Sequence, residues 1–248
     1  MSAPAPSRAR VLHQARFELA TLLANGEQLL VSLVLPLGAL VLAAYTSMPA
    51  LGEGRRIDLA TPGVLALCIV SAAFTAQAIA TGFDRRYAVL RLLGTTPLGR
   101  SGLLWGKAIA TLGVEALQWL VIGGVGLALG WRPVLAGLPA GLLLLLVGTW
   151  AFVALALLLA GVLRAEGVLA VANLVWVVLL VGGGLIMPVA QLPGPWAVVA
   201  QWLPSAALGD GLRAAFGWGT IDLRALLVLG VWGAGATALA ARTFRWSD

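Results

Sequence analysis

Few residues of this 248-residue chain could do chemistry. It has one histidine, His13, and one cysteine, Cys68, which lies inside an apolar stretch. That argues against a histidine-based metal site and leaves no intrachain disulfide; with so few buried acids, no catalytic constellation can be assembled. The nearest approach to a phosphate loop is Gly102-Leu103-Leu104-Trp105-Gly106-Lys107-Ala108. It lacks the four-residue spacer and the Ser or Thr after lysine that a phosphate cradle needs, and reads as a helix start. What remains are polar side chains in apolar surroundings. Glu115 has Gln118 nearby, while Gln77 and Asn173 lie in two other apolar stretches. A buried carboxylate is costly there and turns inward or towards water. Glu115 is thus a candidate latch, part of a substrate path or a proton carrier; paired with Lys107 or Arg91 near an interface it would be structural. Gln77 and Asn173 read as interhelical hydrogen bonds.

The elements that hold these residues are set by composition. Hydrophobic residues make up 60% of the chain and charged residues 10%, against about 25% charged in an average soluble domain. Six apolar stretches lie at about 29–48, 62–81, 108–129, 135–162, 168–187 and 223–241. Roughly 20 residues at about 1.5 Å each cross a hydrocarbon core of about 30 Å. The chain therefore reads as an all-α integral membrane protein of one domain, 1–248, with six transmembrane helices. Pro36 marks a kink in the first. Over 8–26, Val11, Leu12, Ala15, Leu19, Leu22 and Leu23 recur at helical spacing, which predicts an amphipathic helix lying in the interface plane, stopped by Asn25-Gly26. The first apolar run follows a polar, basic leader and reads as a retained span rather than a cleaved signal.

The net charge is +6, and fifteen of sixteen basic residues are arginine, a weak hint of a high-GC bacterial source. In a soluble protein such a balance would suggest nucleic acid; here the positives sit between spans, and topology accounts for them. Eleven fall in the leader, in 83–107, at Arg164 and in the tail, and five on the opposite side. The positive-inside rule places both termini in the cytoplasm. Glycine pairs at small-xxx-small spacing permit close helix approach but are expected by chance among 31 glycines. Trp131, Trp196, Trp202 and Trp218 fall on the outer side as interface anchors.

The segment 83–107 carries the densest pattern: Asp84-Arg85-Arg86, then Leu90-Arg91-Leu92-Leu93, Thr96-Pro97 and Gly106-Lys107. A helix is expected from Asp84 to Leu93, broken at Gly94–Thr96, with Thr96 capping and Pro97 opening a short helix into the third span. Such a hairpin projects from the membrane and can dock on a soluble partner; as an ordinary basic loop it would only fix topology. The segment 188–222 holds Pro188, Pro193, Pro195 and Pro204, with Arg213 beyond, and predicts short helices dipping into the outer leaflet.

In order and spacing these motifs resemble type-2 ABC export permeases over nearly the whole chain. The start of the cytoplasmic loop differs: Asp84-Arg85-Arg86-Tyr87-Ala88 stands where the family often shows a Glu-rich cluster and a Gly-Thr. The resemblance implies a permease subunit in the bacterial cytoplasmic (inner) membrane that binds no cofactor. ATP and Mg would sit on two copies of a separate ABC ATPase, beside a second permease subunit, identical or not, in the lipid bilayer. It also implies ATPase coupling through Asp84, Arg85, Arg86, Arg91, Thr96 and Pro97. Gln77, Glu115, Gln118 and Asn173 become candidates for the translocation path, with the first, second and fifth spans lining it. Pro204 and Arg213 belong to an outer cap. Two other classes remain: an ion-coupled transporter, which would work without an ATPase and fail in Glu115→Gln, and a membrane scaffold without substrate flux.

Overall fold

A computed structural model of the chain describes residues 6–24, 26–47 and 49–245, with the side chains of 26–31 and Arg100 outside that description. The expected stop at Asn25, the end of the first span at Met48 and the tail past Arg245 lie outside the described residues. Those described are 82% helical and contain no strand. In chain order the helices are α1 (Ser7–Ala24), α2 (Gly26–Tyr45), α3 (Arg56–Ile69), a π-helical turn (Val70–Ala76), α4 (Gln77–Arg86) and α5 (Val89–Gly94). They continue with α6 (Gly99–Ala128), α7 (Leu138–Val162), α8 (Ala165–Gly182), α9 (Gly194–Ala200), α10 (Pro204–Trp218) and α11 (Leu223–Thr243). Five helical runs are long and apolar enough to cross a membrane, and Ser32–Tyr45 is a shorter apolar helix. The protein is an all-α, multi-pass membrane protein.

The centre of the bundle is a 31-residue rod, Arg56–Arg86, built from α3, the π-helical turn and α4. It starts a turn and a half before the expected 62. Extended Arg55 precedes it, and Asp58 in its first turn complements the helix dipole. Pro62 sits inside α3. From Ala60 to Ile69 every residue is buried, so the helix is apolar all round and must be a core element. α2, α6, α7 and α10 pack around it, and α11 lies along α7. By contrast α8 is only 22% buried over its span.

Three expectations need correction. α6 runs unbroken from Gly99, so no separate helix precedes the third span, because no proline or left-handed residue interrupts it after Gly99. The fifth span ends at Gly182 rather than 187; the triplet Gly182-Gly183-Gly184 follows, with Gly184 at φ +75°. Trp131 is no interface anchor: it is buried and meets Phe216 edge-on, ring centroids 5.4 Å apart. Over its length α1 packs along the first half of α6. Successive glycines of α6 seat successive residues of α1, Gly102 near Val11, Gly106 against Gln14 and Gly113 against Leu19. The two helices run side by side in the same direction. A Cβ at Gly106 would come within 2.8 Å of Gln14 Cγ, so this notch is what lets α1 approach.

Between spans five and six the chain forms α9 and α10, each opened by proline near its first turn. α10 is buried along most of its length against α3 and α7. It is a core helix rather than a surface loop.

Candidate coupling site

At one end of the rod, three helices meet on a lysine. Lys107 of α6 is 4% exposed; its Nζ lies 2.7 Å from Asp84 Oδ2 of α4 and 3.2 Å from Glu18 Oε1 of α1. Gln14 Nε2 donates to the same Glu18 oxygen at 2.9 Å. A buried ammonium between two carboxylates is tolerated because both neutralise it and fill its donors. The chain's single lysine is a compact point charge, able to fit where a planar guanidinium would not. Arg10 extends the link, donating from α1 to the Pro97 carbonyl.

The two arginines beside Asp84 do different work. Arg85 is 4% exposed and donates to the carbonyls of Ala160, at 2.6 Å, and Leu163. Those are orphan acceptors at the C-terminus of α7, so Arg85 caps that helix against its negative dipole end. Arg86 is half-exposed, pairs with Glu166 of α8 and lies 5.9 Å from the Tyr87 ring centroid. A solvent-facing pair of that kind contributes about 0–1 kcal/mol.

The rod then turns. Ala88 has φ +58°, the left-handed region, and is the only non-glycine residue there among the described ones. The helix expected from Asp84 to Leu93 is therefore broken into α4 and α5 at an elbow. Leu90 anchors the elbow in the core, while Tyr87 and Leu92 stand about two-thirds exposed. Thr95 and Thr96 donate back to the carbonyls of Leu92 and Leu93, at 2.8 and 2.6 Å. Thr96 therefore closes α5 instead of capping the next helix, and Pro97 falls in the turn before α6. Arg91 lies on the exposed side of α5. A left-handed alanine costs about 1 kcal/mol, so Ala88→Gly should raise the thermal midpoint in detergent and Ala88→Val lower it. An unchanged midpoint in both would disprove strain at the elbow.

The opposite end of the rod is held by Arg213 of α10, which is 4% exposed. All five of its N–H groups are used. Nε donates to Leu59 O at 3.1 Å; Nη1 donates to Gly184 O at 2.9 Å and Asp210 Oδ1 at 2.8 Å. Nη2 donates to Leu185 O and, at 2.8 Å, to Ile186 O. One side chain thus ties α3, α10 and the unwound segment after α8 together. Pro204 opens α10 and so sets the direction in which Arg213 is presented. Gly63 is part of the same joint, because a Cβ there would overlap both the Leu185 oxygen and Arg213 Nη2.

The candidate polar residues of the spans are scattered. Glu115 is fully buried and pairs with neither Lys107 nor Arg91. Its Oε2 accepts from Thr149 of α7 at 2.6 Å, and Oε1 has no partner among the described residues. Gln77 bridges helices, accepting from Thr111 of α6 at 3.3 Å. Gln118 donates to Ser32 O of α2 at 3.1 Å. Among the described residues Asn173 makes no interhelical bond; it is exposed and donates to Leu169 O of its own helix at 2.9 Å. Beside the π-helical turn, Trp176 donates to Ser71 Oγ at 2.8 Å.

Sequence reasoning gave Glu18, Thr149 and Gly63 no role in a site, and read Lys107 only as part of the loop motif and as a candidate partner of Glu115. Lys107 carried a signal, as the one lysine among sixteen bases. Gly63 carried none, since its neighbours are backbone atoms distant in sequence. Among the described residues no group of three His, Cys, Asp or Glu could hold a metal ion. Residues 57–242 match the family described as "ABC-2 family transporter protein". No curated protein sequence matches the chain.

Proposed function

The chain belongs to the ABC-2 transporter family, and from that membership we propose that it is the permease subunit of an ATP-driven exporter, worked by separate ATPase subunits. The family makes it a membrane component of an ABC transporter, one that normally works with an ATPase partner rather than being catalytic itself. In this reading two ATPase copies bind ATP and Mg at the cytoplasmic face of a bacterial inner membrane. They close on each other, and the elbow at Tyr87–Leu92 receives the motion.

The observation that carries the proposal is the rod, fastened at both ends. Asp84, at the elbow, is tied to α1 and α6 through Lys107. Leu59, some 25 residues back along the rod from Asp84 and so roughly 37 Å away at about 1.5 Å per residue, is tied to Arg213. A displacement at the elbow therefore reaches the far end through one continuous, buried element. Tyr87 and Leu92 are large apolar groups held out on a left-handed turn beside Arg86 and Arg91. That is what a docking knob needs: apolar contact at its centre and charge at its rim. Reversing charge at Arg85 would test the α7 cap instead, because that side chain is inside.

The test is a gentle detergent pulldown with the partner identified by mass spectrometry, followed by Leu92→Asp. A stoichiometric ATPase is expected with the native chain. In Leu92→Asp, substrate flux should fall at least tenfold with the chain still folded and in the membrane. Unaltered flux in that variant removes the elbow from the coupling path. Flux with no ATPase present, abolished by Glu115→Gln, would establish the ion-coupled alternative.

A further inference from the structure

A trough opens towards lipid between α6, α7 and α11, at the same end of the bundle as the elbow. α11 lies along α7, whereas α6 touches α7 at few points, so the flanking helices leave a gap over α7. Ala154 and Leu157 of α7 form the floor, Leu104 and Trp105 of α6 one wall, and Ala240 and Ala241 of α11 the other. The enclosed volume is about 410 Å³. Apart from two hydroxyls and two indole N–H groups, the lining is hydrocarbon. It takes in 101–108, 150–157 and 237–244, roughly 10 Å of each helix. The deep end is closed by Trp150, whose ring is wedged against Gly233: a Cβ there would come within 2.9 Å of it. At the mouth, Phe244 seats on Gly161, and Arg245 N donates to Gly161 O at 3.2 Å, which pins the chain just past α11 across the end of α7. Arg242 and Arg245 flank this corner in the chain; both are exposed, and neither has an ion pair among the described residues.

We propose that the trough holds an acyl chain of a phospholipid with an anionic headgroup, whose phosphate lies at Arg242 and Arg245. Depth selects a lipid. Trp150 lies 12 residues from either end of α7 (Leu138–Val162), so the trough stops at the middle of that helix. One leaflet's hydrocarbon is about 15 Å deep, half of a bilayer core. A chain of that leaflet ends where the trough ends, whereas a partner's spanning helix would run on past it. Charge selects the headgroup. α7 and α11 contain no acidic residue and α6 none before Glu115, so nothing on the three helices near the mouth offsets the two arginines. Each arginine near an anionic surface is worth about a fivefold gain in binding. Trp105, two-thirds exposed, has an indole N–H without an acceptor among the described residues, and such a ring sits where chain meets headgroup. The lipid takes the place of the contact that α6 and α7 lack, and so braces the helix that carries Lys107. None of this depends on whether the chain transports anything.

The experiment is quenching of tryptophan fluorescence in the full chain, reconstituted in phosphatidylcholine vesicles that carry a small fraction of lipid brominated on its acyl chains. The brominated lipid is either phosphatidylglycerol or phosphatidylcholine. Bromine quenches the rings it touches, and the Trp105 signal is the difference between the native chain and Trp105→Phe. Brominated phosphatidylglycerol is expected to quench that signal at about tenfold lower mole fraction than brominated phosphatidylcholine. Arg242→Gln with Arg245→Gln should erase the preference. Ala154→Leu with Ala240→Leu fills the trough and should weaken quenching by both lipids. Equal quenching by the two headgroups in the native chain would overturn the proposal, as would a preference that survives loss of both arginines. The same holds if Arg8→Gln with Arg16→Gln, which removes equal charge from α1, erases the preference as fully, because the attraction would then belong to the whole surface. Unaltered quenching in the filled trough would remove the acyl chain from it. If that variant does not fold, the two arginine pairs decide between them. Failure on any of these counts leaves the transporter reading standing.

Discussion

Arg213→Ala is expected to be the most damaging single substitution in the chain, costing about 3–5 kcal/mol. Four backbone carbonyls and the Asp210 carboxylate would lose their donors at once. Removing one partner of a buried charged network leaves the others desolvated and unmatched, which exceeds the net worth of the bonds themselves. Arg213→Lys should recover little, because an ammonium has three donors on a single atom and cannot fan out to five acceptors. Gly63→Val should produce a similar loss by another route, driving a side chain into the Leu185 oxygen and the guanidinium. Neutralising Asp210 together with Arg213 should be milder than losing Arg213 alone, since no carboxylate is stranded. Thermal unfolding in detergent, followed by near-ultraviolet circular dichroism, reads all four. If Arg213→Ala unfolds within a degree of the native chain, the five-fold clamp has no structural weight.

The second large effect is expected at Lys107. Lys107→Met places Glu18 and Asp84 side by side without their shared cation. The cost should be about 3 kcal/mol, at the low end for a broken buried pair, because both carboxylates keep some contact with solvent. Asp84→Asn should be gentler, since Lys107 and Glu18 stay paired. The distinguishing result is functional. Lys107→Met should release α1 from α6, seen as new protease sensitivity in the leader, and transport should fall with ATP hydrolysis retained. Loss of hydrolysis and transport together, with the leader still protected, would mean that the lysine acts on partner binding and does not join helices.

Much of this architecture could be read from periodicity and apolar length, because those report burial in lipid directly. The core helices, the basic segment between the second and third spans and the broken segment before the last span all announce themselves that way. What escaped reading depends on backbone atoms and on relations between distant residues. Arg213 was recognisable as a charge in an outer segment, but four of its five partners are carbonyls, which no residue identity encodes. The left-handed turn falls on Ala88, where neither glycine nor asparagine marks it. The packing partner of α1 was hidden because an amphipathic stripe fits a bilayer surface and a glycine notch equally well. Asn173 was expected to bond another helix and instead is exposed and donates to Leu169 O of its own helix.

The pairing of α1 with α6 also sets a schedule for biogenesis. Glu18 and Lys107 are 89 residues apart. At about 5–20 residues per second of synthesis, the lysine trails the glutamate by about 4–18 s. Throughout that interval the leader has emerged and its final seat has not. Its amphipathic pattern supplies a waiting place on the bilayer surface until α6 arrives to seat it.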